Sequence, residues 1–229
     1  TWPRARRVGP PERGRALAQA VGSHRVCHLQ GHGIVSVADS VQEATLGAPD
    51  GAADDSFGYA VALSSDGTRA LVSAVYDDTT GGVNAGSARV FLRTCASWAQ
   101  EATLLASDGM ASDVFGYSVG LASDASRAIV GVSNDDSDVG SARVFRRTGT
   151  VWTEEATLLA PGGVPGDLFG RSVALSFDAT RALVGAPTDD TPAGSNAGSA
   201  RVFIRTGTVW MTEAQLLAPD AAVDDQFGR

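Results

Sequence analysis

Lysine is missing altogether: all 18 basic residues are arginine, a bias we read as codon usage and not as mechanism. Long apolar runs are missing too. No stretch approaches the roughly 18 consecutive apolar residues that a membrane-spanning helix needs, and the N-terminus has no apolar centre of the kind a secretory signal carries. Cysteine is scarce, and Cys27 and Cys95 stand at non-equivalent places in the pattern set out below, which excludes a disulfide framework. There is no Asn-x-Ser/Thr acceptor for N-glycosylation. Positive charge is short overall, the formal net charge being -8. Residues 1–36 hold six Arg against one Glu, about +5, so the remainder carries about -13. Such a body has no basic stripe with which to displace counterions from phosphates, and nucleic acid is excluded as a partner. No phosphate-cradling glycine loop occurs.

What is present is a repeat. Asp-x-Phe-Gly stands at Asp55 to Gly58, Asp113 to Gly116, Asp167 to Gly170 and Asp225 to Gly228, and the four Phe are spaced by 58, 54 and 58 residues. Glu43, Glu101, Glu155 and Glu213 head Glu-Ala-(Thr/Gln)-Leu segments in the same register, and Gly-Ser-Ala-Arg-Val-Phe recurs from Gly86, Gly140 and Gly198. A period of this length belongs to stacked repeats and not to a globular enzyme core. The chain opens on Thr1 and stops at Arg229, where a strand is due, so it reads as a piece of something longer.

Each unit reads as four short strands. In Phe57-Gly58-Tyr59-Ala60-Val61-Ala62-Leu63, large side chains alternate with small ones at the period of a strand. Gly116, Ser118, Gly120 and Gly170, Ser172, Ala174 keep that small face, so a neighbouring backbone can approach closely at a crowded centre. Asp66-Gly67-Thr68-Arg69 and its counterparts Asp124 to Arg127 and Asp178 to Arg181 supply a hairpin turn. The second strand, Ala70-Leu71-Val72, is apolar throughout, as suits a strand covered on both faces. A polar loop with Asp77-Asp78, Asp135-Asp136 or Asp189-Asp190 follows and absorbs the difference between 54 and 58. Ser-Ala-Arg-Val-Phe forms the third strand, and the fourth runs from Trp98, Trp152 or Trp210 into the Leu-Leu pairs. With no helical periodicity in the repeats, the expected fold is all-β: a β-propeller of four-stranded antiparallel blades over 57–106, 115–160 and 169–218, with partial blades at both ends. Residues 1–42 are expected to be a degenerate or partly disordered stretch, with poor order expected over the Arg- and Pro-rich residues 1–14. Within it Arg15 to Ala20 resembles Arg181 to Ala186, and Gly22 to Val26 resembles Gly86 to Val90, which suggests a decayed blade.

The recurring Asp-x-Phe-Gly, the small-alternating strand after it, and Gly185-Ala186-Pro187 following Leu183-Val184 resemble the FG-GAP repeat of the integrin alpha-subunit β-propeller and its bacterial and algal relatives. The resemblance covers residues 43–229. One copy keeps Gly-Ala-Pro in full; the others read Ser73-Ala74-Val75 and Gly131-Val132-Ser133. The resemblance implies a ring, commonly of seven blades, that works outside the cell or on its surface in adhesion or in binding a protein or glycan. It does not bring calcium with it. Family members that bind the ion place Asp-x-Asp-x-Asp-Gly loops between the first and second strands, whereas Ser64 to Arg69 offers one carboxylate against the six to eight oxygens calcium takes.

The candidate residues divide into scaffold and surface. The Asp two places before each Phe is expected to accept backbone N–H groups at a sharp turn, with a ring of carboxylates at the propeller mouth as the functional alternative. Arg89, Arg143 and Arg201 are each expected to pair with a repeated carboxylate, Glu101, Glu155 and Glu213 being the leading partners. Asn134-Asp135-Asp136-Ser137-Asp138 is the better local candidate for calcium, set against a reading as a solvated acidic turn. His24, Cys27, His28 and His32 superficially resemble a zinc set, though a decayed third strand accounts for the same residues. No catalytic residue, metal site or cofactor is expected. The expected function is a non-enzymatic module binding a protein or glycan through loops at Tyr76 to Asn84, Ser133 to Val139 and Thr188 to Asn196, which differ while the scaffold repeats. The alternatives are an accessory propeller of a larger secreted enzyme and a structural subunit of an extracellular assembly. Further blades or self-association are expected of an open array.

Overall fold

The structure is a computed structural model that describes residues 35–36, 45–94 and 97–229; His24, Cys27, His28, His32, Glu43 and Cys95 lie outside the described residues. Three four-stranded antiparallel sheets follow one another along the chain. The first comprises β3 (Phe57–Leu63), β4 (Arg69–Ala74), β5 (Ser87–Thr94) and β6 (Ser97–Leu104). The second comprises β7 (Ser118–Leu121), β8 (Arg127–Val132), β9 (Ser141–Thr148) and β10 (Val151–Leu158). The third comprises β11 (Ser172–Leu175), β12 (Arg181–Ala186), β13 (Ser199–Thr206) and β14 (Val209–Leu216). Each runs up and down in chain order, which is the plan of a propeller blade. Ahead of them a two-residue pair, β1 (Val35–Ser36) and β2 (Thr45–Leu46), puts Val35 opposite Leu46, the register that Ala88 and Leu104 keep in the first blade. The third-strand place beside Thr45–Leu46 is thus held by Val35–Ser36, and Gly22 to Val26 lies outside the described residues.

The inner strands β3, β7 and β11 lie against one another from blade to blade. Their small face permits it: a Cβ on Gly120 would come within 3.6 Å of the Leu175 amide nitrogen, and the Ser118 hydroxyl donates to the Gly170 carbonyl at 2.8 Å. One expectation needs correction. In the second and third blades the strand starts at Ser118 and Ser172, not at Phe-Gly. The glycine takes a positive φ in all three blades, +91° at Gly58, +98° at Gly116 and +93° at Gly170, which breaks regular pairing after Phe-Gly; in the first blade the register likewise shifts between Phe57 and Val61.

The core lies between blades. Leu71, Val90 and Leu104 of the first pack on Phe115, Val130 and Phe145 of the second; Ile129, Val144 and Leu158 of the second pack on Phe169, Val184 and Phe203 of the third. Both Phe motifs meet here. Phe57, Phe115 and Phe169 stand edge-on to Phe91, Phe145 and Phe203 at 6.0–6.1 Å between centroids, a favoured aromatic geometry. Hairpins between first and second strands are closed by Asp66 and Asp178, which accept from the Thr68 and Thr180 amides at 2.9 and 3.0 Å.

Candidate binding surface

Two sets of loops come together at one end of the blades. The loop between second and third strands in each blade is hydrogen-bonded to the connection that leads into the next: Ser112 N–H donates to Val83 O (2.9 Å), Phe115 to Ala85 (2.9 Å), Phe169 to Val139 (3.0 Å) and Phe227 to Ala197 (3.0 Å). Asp-x-Phe-Gly is the hinge of this contact. Asp55, Asp113, Asp167 and Asp225 each accept the amide three residues earlier, at 2.6–2.8 Å, which is the backbone role expected of them. The residue between Asp and Phe is left-handed in all four copies, φ +52° to +55°. Burial pushes the Asp113 and Asp167 carboxyls up, and the single N–H each accepts does not reverse it.

The arginine pairing differs from expectation. Glu101, Glu155 and Glu213 do not take Arg89, Arg143 and Arg201. Each glutamate is the extra residue of a β-bulge in the fourth strand, which turns its side chain out of simple alternation. There it accepts from Nε and Nη2 of a second-strand arginine: Arg69 at 2.9 and 2.9 Å, Arg127 at 2.7 and 2.8 Å, Arg181 at 2.8 and 3.0 Å. The next blade adds an indole, Trp152 to Glu101 at 3.2 Å and Trp210 to Glu155 at 3.4 Å. Arg89 instead meets Asp77 and Asp50, at 2.9 and 2.7 Å. Arg143, 2% exposed, meets Asp135, Asp108 and Glu154. Arg201 donates to the Pro161 carbonyl at 3.2 Å.

The acidic loop is therefore not simply a solvated turn, since Asp135 accepts from Ser141 and Arg143 at 2.5 and 2.7 Å. Asp136, Ser137 and Asp138 follow with positive φ in a short turn, and among the described residues no group of three or more metal-ligating side chains could hold an ion. The loops also vary less than expected. Residues 77–86 and 189–198 share a length and a bridge, Thr79 to Gly82 and Thr191 to Gly194; the second blade's loop is the short one. What varies is the exposed side chains. Tyr76, Val83, Met110, Val164 and Val223 are exposed on these two loop sets.

On the inner wall, below the loops, Tyr59 and Tyr117 lie 5.3 Å apart, and the Arg171 guanidinium covers the Tyr117 ring at 4.6 Å. Burial, together with the neighbouring Tyr117 hydroxyl, pushes the Tyr59 phenol up to about 12, so it stays protonated at neutral pH. No sequence argument singled these residues out. The signal was that the place after Phe-Gly reads Tyr, Tyr, Arg, Arg amid otherwise repeating residues.

Three stretches of the chain, 40–91, 98–145 and 152–203, match the FG-GAP repeat. No curated protein matches the chain. Among solved structures, a provisionally assigned 6-phosphogluconolactonase from Bacteroides uniformis matches over 82% of this chain at 10% identity, with a TM-score of 0.52. The chain spans about half, 49%, of that protein's length; at this identity the likeness concerns the fold alone.

Proposed function

The chain belongs to the FG-GAP repeat family, and from that membership we propose that it is a non-catalytic propeller module, extracellular or on the cell surface, which binds a protein or glycan through the loop-bearing end. The observation that carries this reading is the division of labour between repeated and varying residues. Repeated side chains are spent on blade construction: the Asp of Asp-x-Phe-Gly on a backbone amide, the bulge Glu on Arg and Trp, the loop Asp on a buried Arg. Apolar side chains left exposed on two rigid loop sets suit recognition. Carboxylates so committed are poorly placed for acid–base work, which supports a non-enzymatic role. Further blades or a second copy are the expected cover for the third sheet, where Leu183 is 40% exposed against 0% for its counterpart Leu71.

Exchanging residues 189–198 for 77–86 in the full-length protein tests the proposal. The two loops share a backbone, so folding is expected to survive while partner binding changes. Unaltered binding after every such exchange, or turnover of a substrate by full-length protein without a second domain, would overturn it.

A further inference from the structure

The chain has three tyrosines: Tyr59 and Tyr117 stand together on the inner wall, and Tyr76 stands on the neighbouring loop after the second strand of the first blade. Tyr59 and Tyr117 pack as described, and the Tyr76 amide donates to the Asp55 carbonyl at 3.2 Å, which ties its loop to the turn that leads into the strand of Tyr59. Tyr59 and Tyr76 are 41% and 45% exposed. Arg171 completes the group. The sequence holds 26 acidic residues against 18 arginines, and Arg69, Arg89, Arg127, Arg143 and Arg181 all sit on carboxylates. Arg147, Arg201 and Arg205 donate to backbone carbonyls, whereas the Arg171 guanidinium rests on the Tyr117 ring at 4.6 Å.

Blade construction does not require this arrangement. The four equivalent places hold two Tyr and two Arg, Tyr59, Tyr117, Arg171 and Arg229, between a fixed Phe-Gly and a fixed small-residue strand. The blade accepts either side chain there, so packing does not select it.

The geometry points to a recognition site formed by Tyr59, Tyr76, Tyr117 and Arg171 for an extended peptide segment of a protein partner, one carboxylate side chain of which pairs with Arg171 while its neighbours lie on the tyrosine rings. Tyr and Arg are the side chains that dominate protein interfaces, the rings offering rigid amphipathic area at small entropic cost. The guanidinium fork matches a carboxylate bidentately. A polyanionic glycan fits less well, because the chain carries a net charge of -8, which repels a run of negative charges more than a single carboxylate.

This inference rests on the interaction-module reading and adds the partner's chemistry. A displayed library of random decapeptides selected on the immobilised full chain tests it, with parallel selections on Arg171→Gln and Tyr59→Ser, both checked for wild-type melting. The expected result is enrichment of Asp or Glu beside apolar residues on the wild type, lost on Arg171→Gln. Enriched peptides resynthesised with Asn or Gln for the acid should bind the wild type about tenfold more weakly. Arg171→Lys, which keeps the charge and loses the fork, should fall between. Identical selections on wild type and Arg171→Gln overturn the inference, as does enrichment of basic residues, which would leave the interaction-module reading standing on the acidic loops. No enrichment on any form overturns it as well. The loop exchange then decides separately whether the broader reading survives.

Discussion

Replacing the bulge glutamate by alanine should have very different consequences in successive blades, although the substitution is the same. In the second blade the Arg127 and Glu155 side chains are 11% and 4% exposed and share two hydrogen bonds of 2.7 and 2.8 Å. Removing one member of a buried pair strands the other charge and costs about 3–5 kcal/mol. Arg127 keeps some access to water, so Glu155→Ala should cost about 3 kcal/mol, the low end of that range. The Trp210 contact, at 3.4 Å, adds little. Glu101→Ala should behave alike, its pair being similarly covered. In the third blade Arg181 and Glu213 are 51% and 34% exposed, and an exposed pair contributes little, so as long as no further blade or second copy covers this sheet Glu213→Ala should be indistinguishable from wild type. Urea unfolding of the full chain at neutral pH measures all three.

Acid should narrow the contrast. Burial pushes the Glu155 carboxyl up, but hydrogen bonds from Arg127 and Trp210 outweigh it and hold it below its ordinary value of 4.5. A depressed carboxylate stabilises the fold above the unfolded value, and that contribution is lost as pH falls through the folded one. Wild type should therefore lose more stability than Glu155→Ala on acidification below about pH 4.5. Equal losses in the three variants, or Glu213→Ala as the most damaging, would refute the reasoning.

Three further outcomes follow from the hinge and the loops. Asp167 is raised by burial, so its ionisation costs stability as pH climbs through the folded value; Asp167→Asn should match or exceed wild type at neutral pH, and Asp167→Ala, which orphans the Val164 amide, should lose about 1 kcal/mol by thermal or urea unfolding. Gly170→Ala should cost more than about 2 kcal/mol or abolish folding, because φ is +93° and the new methyl would overlap the Ser141 carbonyl. Calcium at about 1 mM, the range that serves weak extracellular sites, should leave the melting temperature unmoved, since the Asp135 carboxylate is held by Arg143; a rise of several degrees would reveal a site in Asn134 to Asp138.

Internal repetition made the blades legible. Asp-x-Phe-Gly, the hairpin Asp66-Gly67 and the Trp-led outer strand recur in register, and each recurrence corresponds to a local need: an amide acceptor, a turn, an inter-blade contact. Pairing was less accessible. Simple strand alternation directs Arg89 to the adjacent strand, and only the extra residue in that strand sends Glu101 to Arg69 instead. A β-bulge has no residue signature as plain as a turn's. Asp77, Asp135 and Asp189 were a recoverable miss: each stands three residues after the second strand's end at Ala74, Val132 or Ala186, a constancy masked by the polar, variable look of the loop. The Tyr59, Tyr117 and Arg171 cluster stayed hidden because its members lie more than 50 residues apart and meet only when the inner strands converge.

A stability scan of every residue from 45 to 229 in the full chain, read by resistance to proteolysis, tests most directly the claim that repeating residues build and varying residues recognise. The account predicts two populations: Phe115, Phe169, Glu155, Arg143 and the Phe-Gly glycines intolerant of nearly every substitution, and Tyr59, Tyr76, Arg171, Val83 and Val164 tolerant of most. Substitutions at Arg171 and the exposed loop residues that destabilise as severely as those at Phe169 and Glu155 would contradict it.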